Sequence, residues 1–346
     1  MNKKKYLVTG GAGFFGSILK KYLLETGCSV VSIDLEREET SHEELFAVQG
    51  DICDEKLMEE IFSKNVFDGI FHCAALLAHV RRDLPRLWKS NVDGTASVLH
   101  FAEKYGVEQL VFLSTNCLWA KNFEEPVKEE EEPAPVEIYG RSKWEGEKIL
   151  LASRKVRTVI FRCPTIMDAG RLGLLGILFA FLDENRKLWV VGDGKNRYQF
   201  ISAMDLVQAC MKGIEYPQSE IFNIGSDNVL SFNEVYSYVI EKASSRSRIA
   251  HLPRKGAILA MKLCYFLGIS PLGPYQYKMI ASNFVFDTAK IKEKLHWQPT
   301  RSNQEMLLDA YNYYRENKDE ILNRKNASAH RSVASMGVIR ILKFFS

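Results

Sequence analysis

The chain has 346 residues, 46% of them hydrophobic, and a net charge of +3 from 46 Lys or Arg against 43 Asp or Glu. That size suits a large α/β domain carrying a smaller portion, and the near balance of charge argues against nucleic acid as a partner. The seven cysteines stand singly, with no Cys-x-x-Cys pair, which argues against a disulfide frame or a zinc site, and no apolar run reaches the roughly 18 residues needed to span a bilayer.

Residues 1–5 run straight into the first strand and leave no room for a signal peptide, so a cytoplasmic enzyme is expected. Tyr6, Leu7 and Val8 read as a buried strand, and Ile18, Leu19, Tyr22 and Leu23 recur at helical spacing after it. Between them lies Gly10-Gly11-Ala12-Gly13-Phe14-Phe15-Gly16. Gly10 permits a tight turn, Gly13 lets a pyrophosphate approach the backbone, and Gly16 lets the helix pack on the sheet. The N–H groups that open the helix at Phe14 and Phe15 then face the phosphate charge. A second strand, residues 29–33, ends at Asp34, about twenty residues on, where a carboxylate takes both ribose hydroxyls.

Strand-like segments recur at 45–49, before Gly50-Asp51-Ile52, and then at 67–75, 109–115 and 157–162, separated by helical patterns. This alternation predicts an α/β fold with a doubly wound, parallel, Rossmann-type sheet. Asp34, Asp51, Ala74, Ala75, Ser114, Thr115, Cys163 and Pro164 fall at strand carboxyl ends and should converge on one cleft. The expected organisation is a dinucleotide-binding domain over 1–165, a substrate-binding portion over 166–320 interleaved with late sheet elements, and a basic amphipathic tail over 321–346. Phe222-Asn223-Ile224-Gly225 reads as a strand and turn returning to the sheet, and the acidic run 129–132 as a solvated loop.

Tyr139 and Lys143 stand at i and i+4, on one face of a predicted helix. A phenol near pKa 10 is a poor base, but an adjacent ammonium and a positive nicotinamide ring both favour its phenolate. Tyr139 would then take the proton of a substrate hydroxyl, Lys143 would hold the nicotinamide ribose, and Thr115 would hold the substrate oxygen.

These residues resemble the extended short-chain dehydrogenase/reductase family, of the NAD-dependent epimerase/dehydratase type. The resemblance spans about residues 5–317 and rests on the glycine loop, Gly50-Asp51-Ile52, His72-Cys73-Ala74-Ala75, Asn91-Val92-Asp93-Gly94-Thr95, Ser114-Thr115 and Tyr139-x-x-x-Lys143. It implies that Asp51 and Ile52 flank the adenine, that Ala74 and Ala75 line the cofactor channel, and that Asn91 braces the site. The cofactor it implies is NAD; Asp34 disfavours NADP because a carboxylate repels a 2′-phosphate. Dimerisation through two helices per subunit is common among such proteins and is left open here.

The family's 4,6-dehydratases carry Thr-Asp-Glu where this chain has Thr115-Asn116-Cys117, so elimination of water is not expected. Arg197 matches the position at which nucleotide-sugar epimerases place an arginine on the substrate diphosphate, a task suited to a guanidinium. With Thr115 and Asn116 as further substrate contacts, this points to a nucleotide-sugar epimerase acting through a transient keto intermediate. The apolar stretch 257–267 reads as a core helix, a lid or an interfacial patch; it resembles that of superfamily members acting on steroids and long-chain ketones, which implies a 3β-hydroxysteroid or lipid-like alcohol instead. The seven histidines form no ligand-spaced set, so no metal is expected; His79 is either a substrate contact or a surface residue. From residue 321 to 346 there are five Lys or Arg and no carboxylate, with Val338, Ile341, Leu342 and Phe345 at helical spacing. Such a tail can lie on a membrane surface or dock on the body of the protein.

Overall fold

The computed structural model describes residues 3–38, 40–77, 83–269 and 272–323, with Val333, Ile339 and Lys343 of the tail. The strands are β1 (Lys5–Thr9), β2 (Ser29–Asp34), β3 (Leu45–Gln49), β4 (Gly69–His72), β5 (Gln109–Thr115), β6 (Arg157–Cys163), β7 (Thr165–Met167), β8 (Leu188–Val191), β9 (Phe200–Ser202), β10 (Glu220–Asn223) and β11 (Ile249–Leu252). The helices are α1 (Phe14–Glu25), α2 (Glu55–Ser63), α3 (Leu84–Trp88), α4 (Gly94–Lys104), α5 (Ile138–Leu151), α6 (Leu175–Asp183), α7 (Ala203–Gly213), α8 (Phe232–Lys242), α9 (Arg254–Phe266), α10 (Pro274–Met279), α11 (Ala289–Leu295), α12 (Asn303–Glu316) and α13 (Lys318–Asn323).

Seven strands form one sheet in the order β10-β6-β5-β4-β1-β2-β3, and each neighbouring pair is parallel. Alternation along the strands divides the apolar side chains between two faces. Tyr6 and Val8 of β1 join Leu19 and Leu23 of α1, Leu206 and Cys210 of α7 and Ile291 of α11. Leu7, on the opposite face, joins Met58 and Phe62 of α2, Val98 and Phe101 of α4 and Leu150 of α5. The order reverses between β1 and β4, so the crevice for a ligand opens there, beyond the carboxyl ends of the strands.

After β6 the chain builds two short parallel pairs, β7 with β9 and β8 with β11, then sends β10 back to the sheet edge beside β6. The strand expected at 222–225 is β10, shifted two residues earlier. The later part has its own apolar cluster, with Phe179, Phe200, Val235, Tyr311 and Tyr314. Asp205, at the start of α7, ties the C-terminal stretch down: its carboxylate accepts from the Thr300 hydroxyl and N–H, and its carbonyl accepts from the Trp297 indole.

Two expectations need correcting. The apolar stretch forms α9, but no residue of that helix is buried, so it is not a core helix. The acidic run is not wholly solvated: the Glu129 carboxylate accepts from the Asn223 N–H at 2.8 Å and its carbonyl from Arg162 at 2.7 Å. The three described tail residues dock on the body. Val333 and Ile339 pack on the later apolar cluster, and Lys343 pairs with Glu184 at 2.5 Å. Val338, Ile341, Leu342 and Phe345 lie outside the described residues, as does His79.

Candidate active site

The loop after β1 is shaped by what a side chain would strike. Gly10 has φ +72°, and a Cβ there would stand 2.7 Å from the Ala74 backbone. A Cβ on Gly16 would stand 2.0 Å from the Gly10 carbonyl oxygen, and one on Gly13 3.0 Å from the same atom. Helix α1 begins at Phe14 with Gly13 as its N-cap and no side chain capping it, which leaves its positive end for an anion. Phe15 points into the core, so only its backbone can serve a ligand. Asp34 is at the tip of β2; one carboxylate oxygen accepts from the Ala12 N–H at 3.0 Å and the other from the Glu36 N–H at 3.0 Å. Each oxygen keeps a second lone pair, enough for a ribose hydroxyl apiece. Asp51 holds the turn after β3 by accepting from the Cys53 N–H, and Ile52 is buried against Gly94, which opens α4.

Behind the loop runs a buried neutral relay. The Ala74 N–H donates to Thr9 Oγ1, which lies 2.7 Å from His72 Nδ1, and His72 Nε2 lies 2.9 Å from Thr95 Oγ1. Thr95 donates its own proton to the Asn91 carbonyl, so Nε2 carries the imidazole proton and Nδ1 accepts from Thr9. Burial, with the Lys143 charge nearby, pushes the His72 pKa down to about 3. Asn91 is the brace: its amide exchanges two hydrogen bonds with the Leu76 backbone and donates to Ser142 on α5 at 3.0 Å. The turn carrying Ala74 and Ala75 is thereby fastened to the helix carrying Tyr139 and Lys143.

Tyr139 lies near Thr115, whose hydroxyl oxygen accepts from the Cys117 N–H at 3.1 Å. Burial pushes the phenol above its ordinary value, and the Cys117 and Cys163 thiols push the same way, while the Arg171 charge and the Thr115 hydroxyl pull down. The charged group that pulls Tyr139 down in this structure is Arg171. Lys143 instead lies 3.8 Å from the Phe112 ring centroid, a cation–π contact that draws its ammonium back toward β5. Burial brings the Lys143 pKa down to about 7. Ser114 Oγ is buried with no hydrogen-bond partner, an orphan that a bound cofactor would satisfy. Pro164 is buried where β6 leaves the sheet.

Beyond Tyr139 the cleft is walled by Asn116, which the sequence reading named, and by Tyr198, Tyr275 and Arg171, which it missed. Asn116 donates to the Tyr198 hydroxyl at 2.6 Å, which lies 3.1 Å from that of Tyr275 on α10. Arg171 sits 5.4 Å over the Phe14 ring and interacts with Tyr139 and Tyr198. No carboxylate pairs with it among the described residues, and burial lowers its pKa to about 10. Arg197 stands elsewhere. It is exposed on an open groove of about 450 Å³ with Lys195, Glu124, Glu125 and Asp227. In an extended segment neighbouring side chains face opposite ways, so Tyr198 enters the cleft and Arg197 turns from it. Arg171 had no motif to announce it; only the chain's return past the glycine loop brings it in.

A model of the NAD-dependent epimerase/dehydratase family matches residues 6–225, which takes in the glycine loop, the relay and Tyr139 with Lys143. The chain belongs to that family. An uncharacterised protein of Sinorhizobium fredii is 32% identical over 99% of this chain and 86% of its own length. A UDP-N-acetyl-alpha-D-glucosaminuronate decarboxylase of Bacillus cytotoxicus is 28% identical over 91% of this chain and 98% of its own. Among solved structures, a UDP-glucose 4-epimerase of Thermotoga maritima with UDP-glucose is 26% identical, with a TM-score of 0.75 over 91% of this chain and 99% of that one. This epimerase/dehydratase chain is thus an NAD-dependent enzyme of the extended short-chain type, and its glycine cradle, uncapped α1 and Asp34 fit that cofactor.

Proposed function

We propose that the chain epimerises a nucleotide-linked sugar through a transient keto sugar. What supports this is that α5, which carries Tyr139 and Lys143, is fastened to the turn after β4 by the Asn91–Ser142 hydrogen bond and packs at Gly140 on the Cys117 backbone, just past Thr115, beside the glycine cradle. Residues 10–16 would hold the NAD pyrophosphate, Asp34 its ribose, and Asp51 with Ile52 the adenine end. Bound there, the cofactor supplies a hydride acceptor and, in return, a donor. Tyr139 Oη takes the proton of the sugar hydroxyl and later gives it back. Thr115, itself held by the Cys117 N–H, donates to that oxygen, and the Arg171 charge offsets the negative charge that gathers on it. Lys143 is held where it exchanges protons near neutrality. Asn116, Tyr198 and Tyr275 form the wall against which the keto sugar would turn. The Leu259, Leu263 and Phe266 side chains of α9 are exposed.

Arg171 favours a second reading in which the sugar bears a carboxylate, since a half-buried guanidinium with no carboxylate partner among the described residues suits an anion. Incubation with NAD and either UDP-glucose or UDP-glucuronate, with products resolved by NMR, separates the two. Isomerised sugar without accumulated NADH is expected; net NADH or release of carbon dioxide would overturn the epimerase reading. Tyr139→Phe should lower turnover by about 10²- to 10⁴-fold and leave NAD affinity unchanged.

A further inference from the structure

Helix α9 is an apolar helix that the fold does not use. Leu259 is 69% exposed, Leu263 58% and Phe266 86%, and Leu267 and Ile269 just beyond the helix are 59% and 49% exposed. Leu259, Leu263 and Phe266 follow at i, i+4 and i+7, so they form one stripe. The opposite side, with Ile258, Met261 and Cys264 half-buried, rests on the body. Lys255 and Lys262 fall at the same helical spacing and line one edge of the stripe. Lys262 stays near by lying 5.9 Å over the Tyr277 ring of α10.

The chain segment that carries this stripe has charge of one sign. From Lys242 to Phe286 the sequence has seven Lys or Arg and no Asp or Glu. Ordinary exposed helices mix both signs, and an isolated exposed leucine needs no explanation; an apolar stripe inside a span of 45 residues without acid does. Thirteen residues are too few to cross a bilayer, but an amphipathic helix with basic flanks is built to lie in its surface. The described tail residues sit elsewhere, against α6, and do not cover it.

We propose that α9 docks this protein on an anionic lipid bilayer, with Leu259, Leu263, Phe266 and Leu267 entering the headgroup boundary and Lys255 and Lys262 meeting lipid charge. The attachment is peripheral. It is also close to the chemistry, because α9 packs on α10, and Tyr275 of α10 borders the cleft. The docking stands independently of which sugar the cleft takes.

Flotation of the full chain with vesicles tests it. The protein should float with vesicles of phosphatidylcholine plus phosphatidylglycerol and stay behind with phosphatidylcholine alone. Leu263→Glu with Phe266→Glu should abolish flotation, and Lys255→Gln and Lys262→Gln should each weaken it about fivefold. NAD affinity reports that these variants are folded, since none touches the cleft. Flotation that survives the α9 variants would assign the contact to the tail and overturn the proposal. No flotation of the wild type would overturn it too. So would sedimentation showing that the wild type is a dimer and the double glutamate variant a monomer, because the stripe would then cover a second copy of this chain.

Discussion

One turn of α5 separates two buried charges that the fold treats in opposite ways. Glu147 meets Arg162 of β6 in a bidentate pair, with contacts of 2.8 to 3.2 Å and side chains 2% and 4% exposed. The third guanidinium nitrogen of Arg162 reaches the Glu129 carbonyl, and the Trp119 ring covers the guanidinium at 5.2 Å. Lys143, four residues earlier, is 2% exposed and has no ion pair among the described residues, only the Phe112 ring. The paired charge locks helix to sheet. Burial brings the pKa of the unpaired one down to about 7, the kind of perturbation that marks a candidate functional group. Burial alone therefore does not tell a structural charge from a functional one; its partners do.

The comparison breaks most visibly at Arg162. Arg162→Met leaves the Glu147 carboxylate buried and unpaired and should cost about 3–5 kcal/mol, read as a drop in the urea midpoint at pH 7. Adding Glu147→Met removes the orphaned charge and should restore much of that loss. A double variant as unstable as the single one would show that the cost lies in lost packing.

Lys143→Met should act with the opposite sign. The lysine pKa falls from 10.5 unfolded to about 7 folded, so between those values the unfolded chain holds a proton that the folded chain has released. Stability from this group is complete above pH 10.5 and declines as pH falls toward 7. The methionine variant, with no proton to lose, should be the more stable at pH 7, less active, and no more stable than the wild type near pH 10.5. Parallel urea titrations across that range would show the gap closing. A gap independent of pH would mean that Lys143 keeps its proton in the folded state.

Much of this site was legible in the sequence because it follows the period of the backbone. Gly10, Asp34, Asp51, Ala74 and Thr115 are placed by strand ends, and strand ends follow from apolar runs. Tyr139, Lys143 and Glu147 share a helix face by spacing alone. What spacing cannot supply is the pairing of distant segments. Arg171 meets Tyr139 only after the chain has crossed the sheet, and the side taken by Arg197 depended on a one-residue register that apolar content around Tyr198 and Phe200 left open. The exposure of α9 was equally hidden, since an apolar helical stripe looks the same in sequence whether the protein or something else covers it.

The smallest test concerns the neutral neighbour of these charges. His72 is as buried as Lys143, yet its proton is fixed, because Thr9 donates to one nitrogen and Thr95 accepts from the other. Thr95→Val keeps the shape of the side chain and deletes that acceptor, leaving the Nε2–H without a partner. A loss of about 1–3 kcal/mol is expected from an orphaned buried donor. The wild type should in addition lose stability as pH falls from 6.5 toward 3, since the unfolded imidazole gains a proton over that window that the folded one refuses. If Thr95→Val is as stable as the wild type, the relay is not what holds His72 neutral, and desolvation by the Phe112 side of the pocket must suffice. A loss confined to stability, with turnover intact, would place His72 with Arg162 among the groups that build the site.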